Sequence, residues 1–416
     1  MKNLLKILSL LTIAGFILTS CEGPAGPEGP AGLDGTNGTN GVDGKDANET
    51  CKLCHNKDVV EAVAREYQYS VHFKGVAYAE EGTRNSCAPC HSSLGFLNVI
   101  EKSTPATFTG PDASGKYTSN YVAEAGVLAL PGAIGCFTCH SSLHTDYEGT
   151  EFSPLATTAA VPLTMYGGTK TIDFDMENSN LCSKCHQPRP ITGSNGNVID
   201  YSLLVSDPTT AYALSKISFR TSVHYGTQSA LAAGIGMGAI EFGTGYTNSS
   251  HVAGASCNTC HMATPSGEAG GHSFSAEGNF NGCNTTNCHT TMSSSNTTYK
   301  AAVADVETLL DDLLTAINAI GAGNDILYKD EDGNYSGYFN VYDPGSNPTG
   351  YWKSQNPSSS WTTAQKATND AKPDLVITNA QFGAVINYSM VNHGAGTGVH
   401  NYPYIKTLLE NSIAAI

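Results

Sequence analysis

The chain has 416 residues and a formal charge of −16, with 14% charged and 8% aromatic residues. This acidic balance argues against nucleic acid and anionic lipid surfaces as partners. The 44 glycines, with abundant Ser, Thr and Asn, predict long irregular stretches. A purely aliphatic core for two or three domains is therefore not expected, and prosthetic groups would supply the missing apolar mass.

Residues 1–20 carry Lys2 and Lys6 ahead of an apolar run from Ile7 to Leu18, which reads as a secretory signal peptide and not as a spanning helix. The run ends Leu18-Thr19-Ser20-Cys21, which resembles the bacterial lipobox, and Cys21 is the odd one of 13 cysteines. Acylation of Cys21 after cleavage is expected, giving a lipid anchor; an ordinary signal followed by a free thiol is the plainer alternative. Loss of the two lysines takes the formal charge from −16 to −18. From Gly23 to Gly44 every third residue is glycine, with Pro24, Pro27 and Pro30 early in the run. Residues 21–50 thus read as an anchor and a collagen-like spacer, with a trimeric stalk as the alternative.

Residues 51–295 hold every remaining cysteine and read as one domain with short helices, such as one around Val59–Tyr67, between long loops. Five C-x-x-C-H motifs occur: Cys51-Cys54-His55, Cys87-Cys90-His91, Cys136-Cys139-His140, Cys182-Cys185-His186 and Cys257-Cys260-His261. Two thiols one helical turn apart can add to the two vinyl groups of a haem, and the adjacent histidine comes beneath the iron. Zinc sites do not need a histidine next to a ligating cysteine, and disulfides leave those histidines unexplained. Cys283 and Cys288, followed by His289, form a looser sixth motif with four residues between the thiols, for which a plain disulfide is the alternative. About six haem c groups are expected on this reading.

Seven histidines lie outside the motifs: His72, His144, His224, His251, His272, His393 and His400. Six irons with two histidines each need six distal ligands, so all but one of these would be used. Ligation on both faces leaves low-spin iron suited to outer-sphere electron transfer, whereas an open face favours substrate binding.

Beyond residue 296 the texture changes. Val303, Val306, Leu310, Leu313, Ile317 and Ile320 recur at helical spacing, with Gly321 following, and predict an amphipathic helix of about six turns. Leu375–Val391 and Tyr404–Ile416 predict two more, the last with Pro403 near its start. The polar insertion 323–372 offers Asp332-Gly333 for a hairpin turn. Asp330, Asp332 and Asn334 hint at a calcium loop, but Val341 stands where such a loop places glutamate. Residues 296–416 are thus a C-terminal helical domain.

The Tyr69-Ser70-Val71-His72-Phe73 segment that follows Cys51-Cys54-His55 resembles the opening of the cytochrome c-554 and hydroxylamine-oxidoreductase group. In that group an S-x-H segment supplies a distal ligand, and the same tripeptide recurs at Ser222-Val223-His224. The segments around His251 and around Gly271-His272-Ser273-Phe274 are similar to patterns of that group. Gly398-Val399-His400-Asn401 is similar to the C-terminal helical part of pentahaem nitrite reductases, where the histidine ligates a distant haem. The resemblance implies distal roles for His72, His224, His251, His272 and His400 and matches no position to His393, which is left as the spare, so the count of six irons calls on His144 as the sixth distal ligand. No C-x-x-C-K motif of the nitrite reductases is present, so their catalysis is not implied. The expected fold is mainly α with extensive irregular loops, a stacked haem chain and a C-terminal helical domain. The expected function is electron transfer at the cell envelope, at the outer membrane facing the periplasm or the cell surface, with envelope redox proteins or an extracellular acceptor as partners. The alternatives are a multihaem reductase or oxidase of small nitrogen or sulfur compounds with one open haem, and a cytochrome filament or other homo-oligomer.

Overall fold

The computed structural model describes residues 56–102, 122, 124–140, 155–164, 171–189, 191, 201–212, 217–219, 221–236, 238–394 and 398–416. The signal peptide, Cys21, the spacer, the Cys51-Cys54-His55 motif and His144 lie outside the described residues. Residues Lys57–Ile416 form one compact unit, mainly helical with irregular connections.

Six longer helices carry the unit: α1 (Lys57–Tyr69), α2 (Ser93–Glu101), α3 (Thr297–Ala319), α4 (Thr363–Asp370), α5 (Asn379–Gly394) and α6 (Tyr402–Ala415). α3 begins where the Asn296 side chain accepts the amide proton of Tyr299, and it buries Val306, Leu313 and Ile317 on one face. α6 has Pro403 in its first turn and buries Tyr404, Ile405, Leu408 and Leu409. Between them α5 is buried on nearly every face, including Phe382, Val385, Ile386, Tyr388 and Met390. A helix apolar all round must sit inside a core, and its polar residues must then be satisfied internally. Asn387 does this: Nδ2 donates to Ile240 O and Ser412 Oγ, each at 2.8 Å, and Oδ1 accepts from Ile240 N at 2.8 Å.

α5 starts four residues later than the hydrophobic pattern predicts. Thr378 Oγ1 accepts from Gln381 N while Gln381 Oε1 accepts from Thr378 N, a reciprocal cap that sets the start. Leu375 and Ile377 are buried in the extended segment before it, where Ile377 O accepts from Tyr212 N at 2.8 Å. Their hydrophobicity serves the core without serving the helix.

The 323–372 region is ordered. β3 (Leu327–Lys329) pairs antiparallel with β4 (Tyr335–Phe339), and the turn between them has Gly333 at φ +90°. Asp330 Oδ1 accepts from Asn334 N at 2.7 Å within that turn, and Val341 is fully buried. The residues weighed as calcium ligands thus close a hairpin. A second hairpin, not evident in the sequence, pairs β1 (Val161–Thr164) with β2 (Thr171–Phe174) and sends Val161, Leu163 and Phe174 inward.

One main apolar cluster joins residues of β1, β2 and the 204–242 region to α3, α5 and α6. The aliphatic core therefore draws on both sides of residue 295. The N-terminal part is different: its separate cluster consists of Ala88, Val99 and Val122 with two partly buried neighbours.

Candidate functional site

The described cysteine motifs share one backbone device. His91 N donates to Cys87 O at 3.0 Å, His140 N to Cys136 O at 2.9 Å and His186 N to Cys182 O at 2.9 Å. Each motif is thus one helical turn, which sets its two thiols on one side with the histidine following. Cys257–His261 is a short helix of the same kind. In the looser motif the chain makes a wider loop, yet His289 N still returns to Cys283 O at 3.0 Å. The two extra residues are absorbed within the loop, and the histidine keeps its relation to the first cysteine. None of the ten described cysteines is in a disulfide. Among the described residues no group of three or more His, Cys, Asp or Glu side chains could hold a metal ion.

Each described motif histidine faces one histidine from outside the motifs. Ring centroids lie 6.0 Å apart for His186 and His72, 6.0 Å for His91 and His224, and 6.2 Å for His140 and His272. They lie 6.3 Å apart for His261 and His400 and 6.1 Å for His289 and His251. Two imidazoles on opposite sides of one iron should show a spacing of roughly 6 Å, given metal–nitrogen bonds of about 2 Å and ring centres about 1 Å behind each nitrogen. The residues present therefore fit a haem between each pair.

Hydrogen bonds on the rear nitrogens fix several of these rings. His261 Nδ1 donates to Phe274 O at 2.8 Å, His251 Nδ1 to Val399 O at 3.2 Å and His224 Nδ1 to Tyr225 O at 2.5 Å; His186 Nδ1 lies 3.3 Å from Gln228 Oε1. A proton held on Nδ1 leaves Nε2 as the free donor towards a metal. Burial pushes His72 and His224 down to about 4, and it also lowers His91, His186 and His272, so these imidazoles are neutral at pH 7 as ligation requires.

The elements around the pairs are shaped for this task. Ser70 caps the turn Val71–Lys74 by accepting from Phe73 N, which holds His72 in place. Glu66 on α1 accepts from His272 N at 3.0 Å. Buried Asn401 accepts from Ser249 N at 2.8 Å and donates to Asn248 Oδ1 at 3.0 Å, tying the residue after His400 to the segment before His251. Large apolar side chains next to the ligand candidates lie uncovered by protein atoms: Val71 is 82% exposed, Phe137 62% and Phe73 54%, with Tyr225 and Val399 also exposed. A broad apolar plate such as a porphyrin would cover them.

His393 differs from the other outlying histidines. It is buried, its ring stacks on Tyr225 at 3.9 Å, its Nδ1 meets Val223 O at 2.8 Å and its Nε2 meets Ser336 O. Both nitrogens are engaged by main-chain carbonyls. Its role is to tie the segment carrying His224 to β4, a role for which the sequence holds no signal.

No protein-family model matches the chain. It is 24% identical over 367 residues to the C-type polyheme cytochrome OmcB in each of two strains of Geobacter sulfurreducens, covering 80% of this chain and 44% of the relative. The chain thus spans less than half the length of the curated relatives it matches. Among solved structures, the outer cell wall cytochrome OcwA aligns with a TM-score of 0.40 at 17% identity, over 85% of this chain and 50% of the other. The likeness to OmcB, on top of the repeated cysteine motifs, supports a multihaem c-type cytochrome with haem c as cofactor.

Proposed function

We propose that the chain carries electrons at the cell envelope through six haem c groups, each held between two histidines. The observation that carries this reading is the pairing of all five described motif histidines with a second histidine at 6.0–6.3 Å. His55 and His144, which lie outside the described residues, would supply the sixth pair on this reading. The haem supplies an iron that changes charge by one electron. The chain's own residues do the rest: cysteines fix each porphyrin edge, histidines occupy both axial positions, and carbonyl partners orient those rings. With both axial positions taken, a small molecule has no iron to bind, which favours a carrier over a reductase.

The remaining features extend the proposal. A lipidated Cys21 and the glycine-repeat spacer would tether the haem-bearing body to a membrane, at the outer membrane facing the periplasm or the cell surface. The acidic surface, made more so by ionised haem propionates, suits a basic redox partner or a cationic shuttle. The S-x-H segments resemble those of the cytochrome c-554 group, and a kinship with that group is part of this proposal.

Low-temperature EPR with spin quantitation on the oxidised protein tests the ligation. Six low-spin centres accounting for all the iron are expected. A stoichiometric high-spin ferric signal would refute it and bring the reductase reading forward.

A further inference from the structure

The motif Cys182–His186 is met by three other motifs. On one side, Cys90 Sγ lies 3.7 Å from Lys184 O while Cys185 Sγ lies 4.0 Å from Pro89 O, a reciprocal contact with the Cys87–His91 motif. On a second side, the segment just before Cys182 meets the Cys257–His261 motif, where Ser179 Oγ donates to Asn258 Oδ1 at 3.0 Å. On the third, His72, the partner of His186, shares the ring of Phe274 with His272, the partner of His140, at centroid distances of 5.3 and 5.8 Å. Phe274 holds this place in a left-handed conformation, φ +55°, that a phenylalanine rarely adopts, and its carbonyl also takes the His261 proton.

The Cys283–His289 motif is placed otherwise. Gly282, just before it, packs directly on Thr259 and Cys260, and a Cβ there would sit 2.9 Å from Cys260 Cα. His251, the partner of His289, hangs on Val399 O beside His400, the partner of His261. Among the described residues, these contacts join Cys283–His289 to the array through the Cys257–His261 motif. The Cys87 and Cys136 motifs touch each other through Ser93 Oγ and Thr138 Oγ1 at 2.7 Å.

We propose that the haem-binding motifs form a branched array whose junction is Cys182–His186, a site through which electrons can pass between the Cys87 and Cys136 sites and the Cys257 and Cys283 sites. Because each cysteine fixes a porphyrin edge, motifs that pack against each other place those edges side by side. The inference rests on the paired-histidine reading and adds an order of sites to it.

The test uses redox interaction between neighbours. A methionine ligand in place of histidine raises a haem's potential, so His72→Met makes the junction reduce first. Its neighbours then accept electrons beside a site that has already lost a positive charge, and their midpoint potentials fall. NMR-monitored redox titration of the full-length holoprotein should show at least three other haems shifting in His72→Met, and fewer than three in His251→Met, which alters the Cys283 site. The unmodified protein supplies a readout that needs no variant: one haem should show pairwise interaction with at least three others. Equal numbers of shifted haems in the two variants, or a wild-type pattern in which no haem has three strong neighbours, overturns the branch. The EPR spectrum of the unmodified protein separates the two readings. If its haems are not low-spin, the ligation and the junction fail together; if they are low-spin and the interactions are linear, the junction alone fails.

Discussion

Replacing Asn401 with alanine should loosen two haem sites at once. The side chain is fully buried, accepts from Ser249 N at 2.8 Å and donates to Asn248 Oδ1 at 3.0 Å. It stands between His400, which faces His261, and the segment leading to His251, which faces His289. Gly234, at φ +79°, packs so tightly on Asn248 and Asn401 that a Cβ there would collide with both side chains, so no other group can slide in to replace the lost amide. Each hydrogen bond is worth about 0.5–1.5 kcal/mol net, and stranding the Ser249 amide adds to this, for a total of about 2–3 kcal/mol. Chemical denaturation should show that loss. EPR should show altered g-values or partial high-spin character at two centres, with the others unchanged. A variant within about 0.5 kcal/mol of the parent, or one whose altered centres number one or more than two, would refute the role given to Asn401.

Two further substitutions separate ligands from bystanders. His393→Phe should keep the full haem count and every low-spin centre, while costing about 1–3 kcal/mol because the carbonyl, of Val223 or Ser336, that takes the ring proton loses its donor; disappearance of a low-spin centre in quantitative EPR would make His393 a ligand. The double variant Cys283→Ala, Cys288→Ala should lose one covalently bound haem by intact-protein mass and leave the rest, and an unchanged mass of bound haem would return those cysteines to a structural role.

The sequence points to the atoms that would hold a haem and is silent about which histidines pair. A C-x-x-C-H motif is local, because one helical turn relates all its functional atoms, and the His91-to-Cys87 bond is that turn. The looser motif is legible for the same reason once His289 N is seen to reach Cys283 O. The pairing of His72 with His186, or of His400 with His261, is a long-range outcome of packing that no local pattern encodes. Helix α3 is legible from its apolar periodicity and from Gly321 that follows it. Helix α5 was placed four residues early because a hydrophobic run reports burial, whether in a strand-like segment or a helix, and the Thr378–Gln381 cap decides between them. The hairpin of β1 and β2 has no signal beyond Val161, Leu163 and Phe174, which read equally well as loop residues.

The distribution of apolar burial leads to a last prediction. Helix α1 contains Val59, Val60, Val63 and Tyr67 yet buries none of its residues, and Val59 and Val60 are exposed. Helices α5 and α6, by contrast, are enclosed by protein: Phe382, Ile386, Met390, Tyr404 and Leu408 are almost or wholly buried. The chain thus has two kinds of packing, one enclosed by protein and one with apolar side chains that haem would cover. Protein made without haem attachment should therefore come apart unevenly. Hydrogen exchange on that apoprotein should leave amides of α5 and α6 protected at least about a thousandfold, equivalent to about 4 kcal/mol, while residues 57–140 and 251–289 exchange freely. Restoring haem should protect the second set and change the first little. Uniform protection in the apoprotein would mean that protein contacts alone hold the N-terminal part, and uniform loss would mean that α5 and α6 depend on haem as well. Either result removes the division on which the prediction stands, whereas the uneven pattern ties the short, apolar, uncovered segments beside the histidines to the cofactor they are built to enclose.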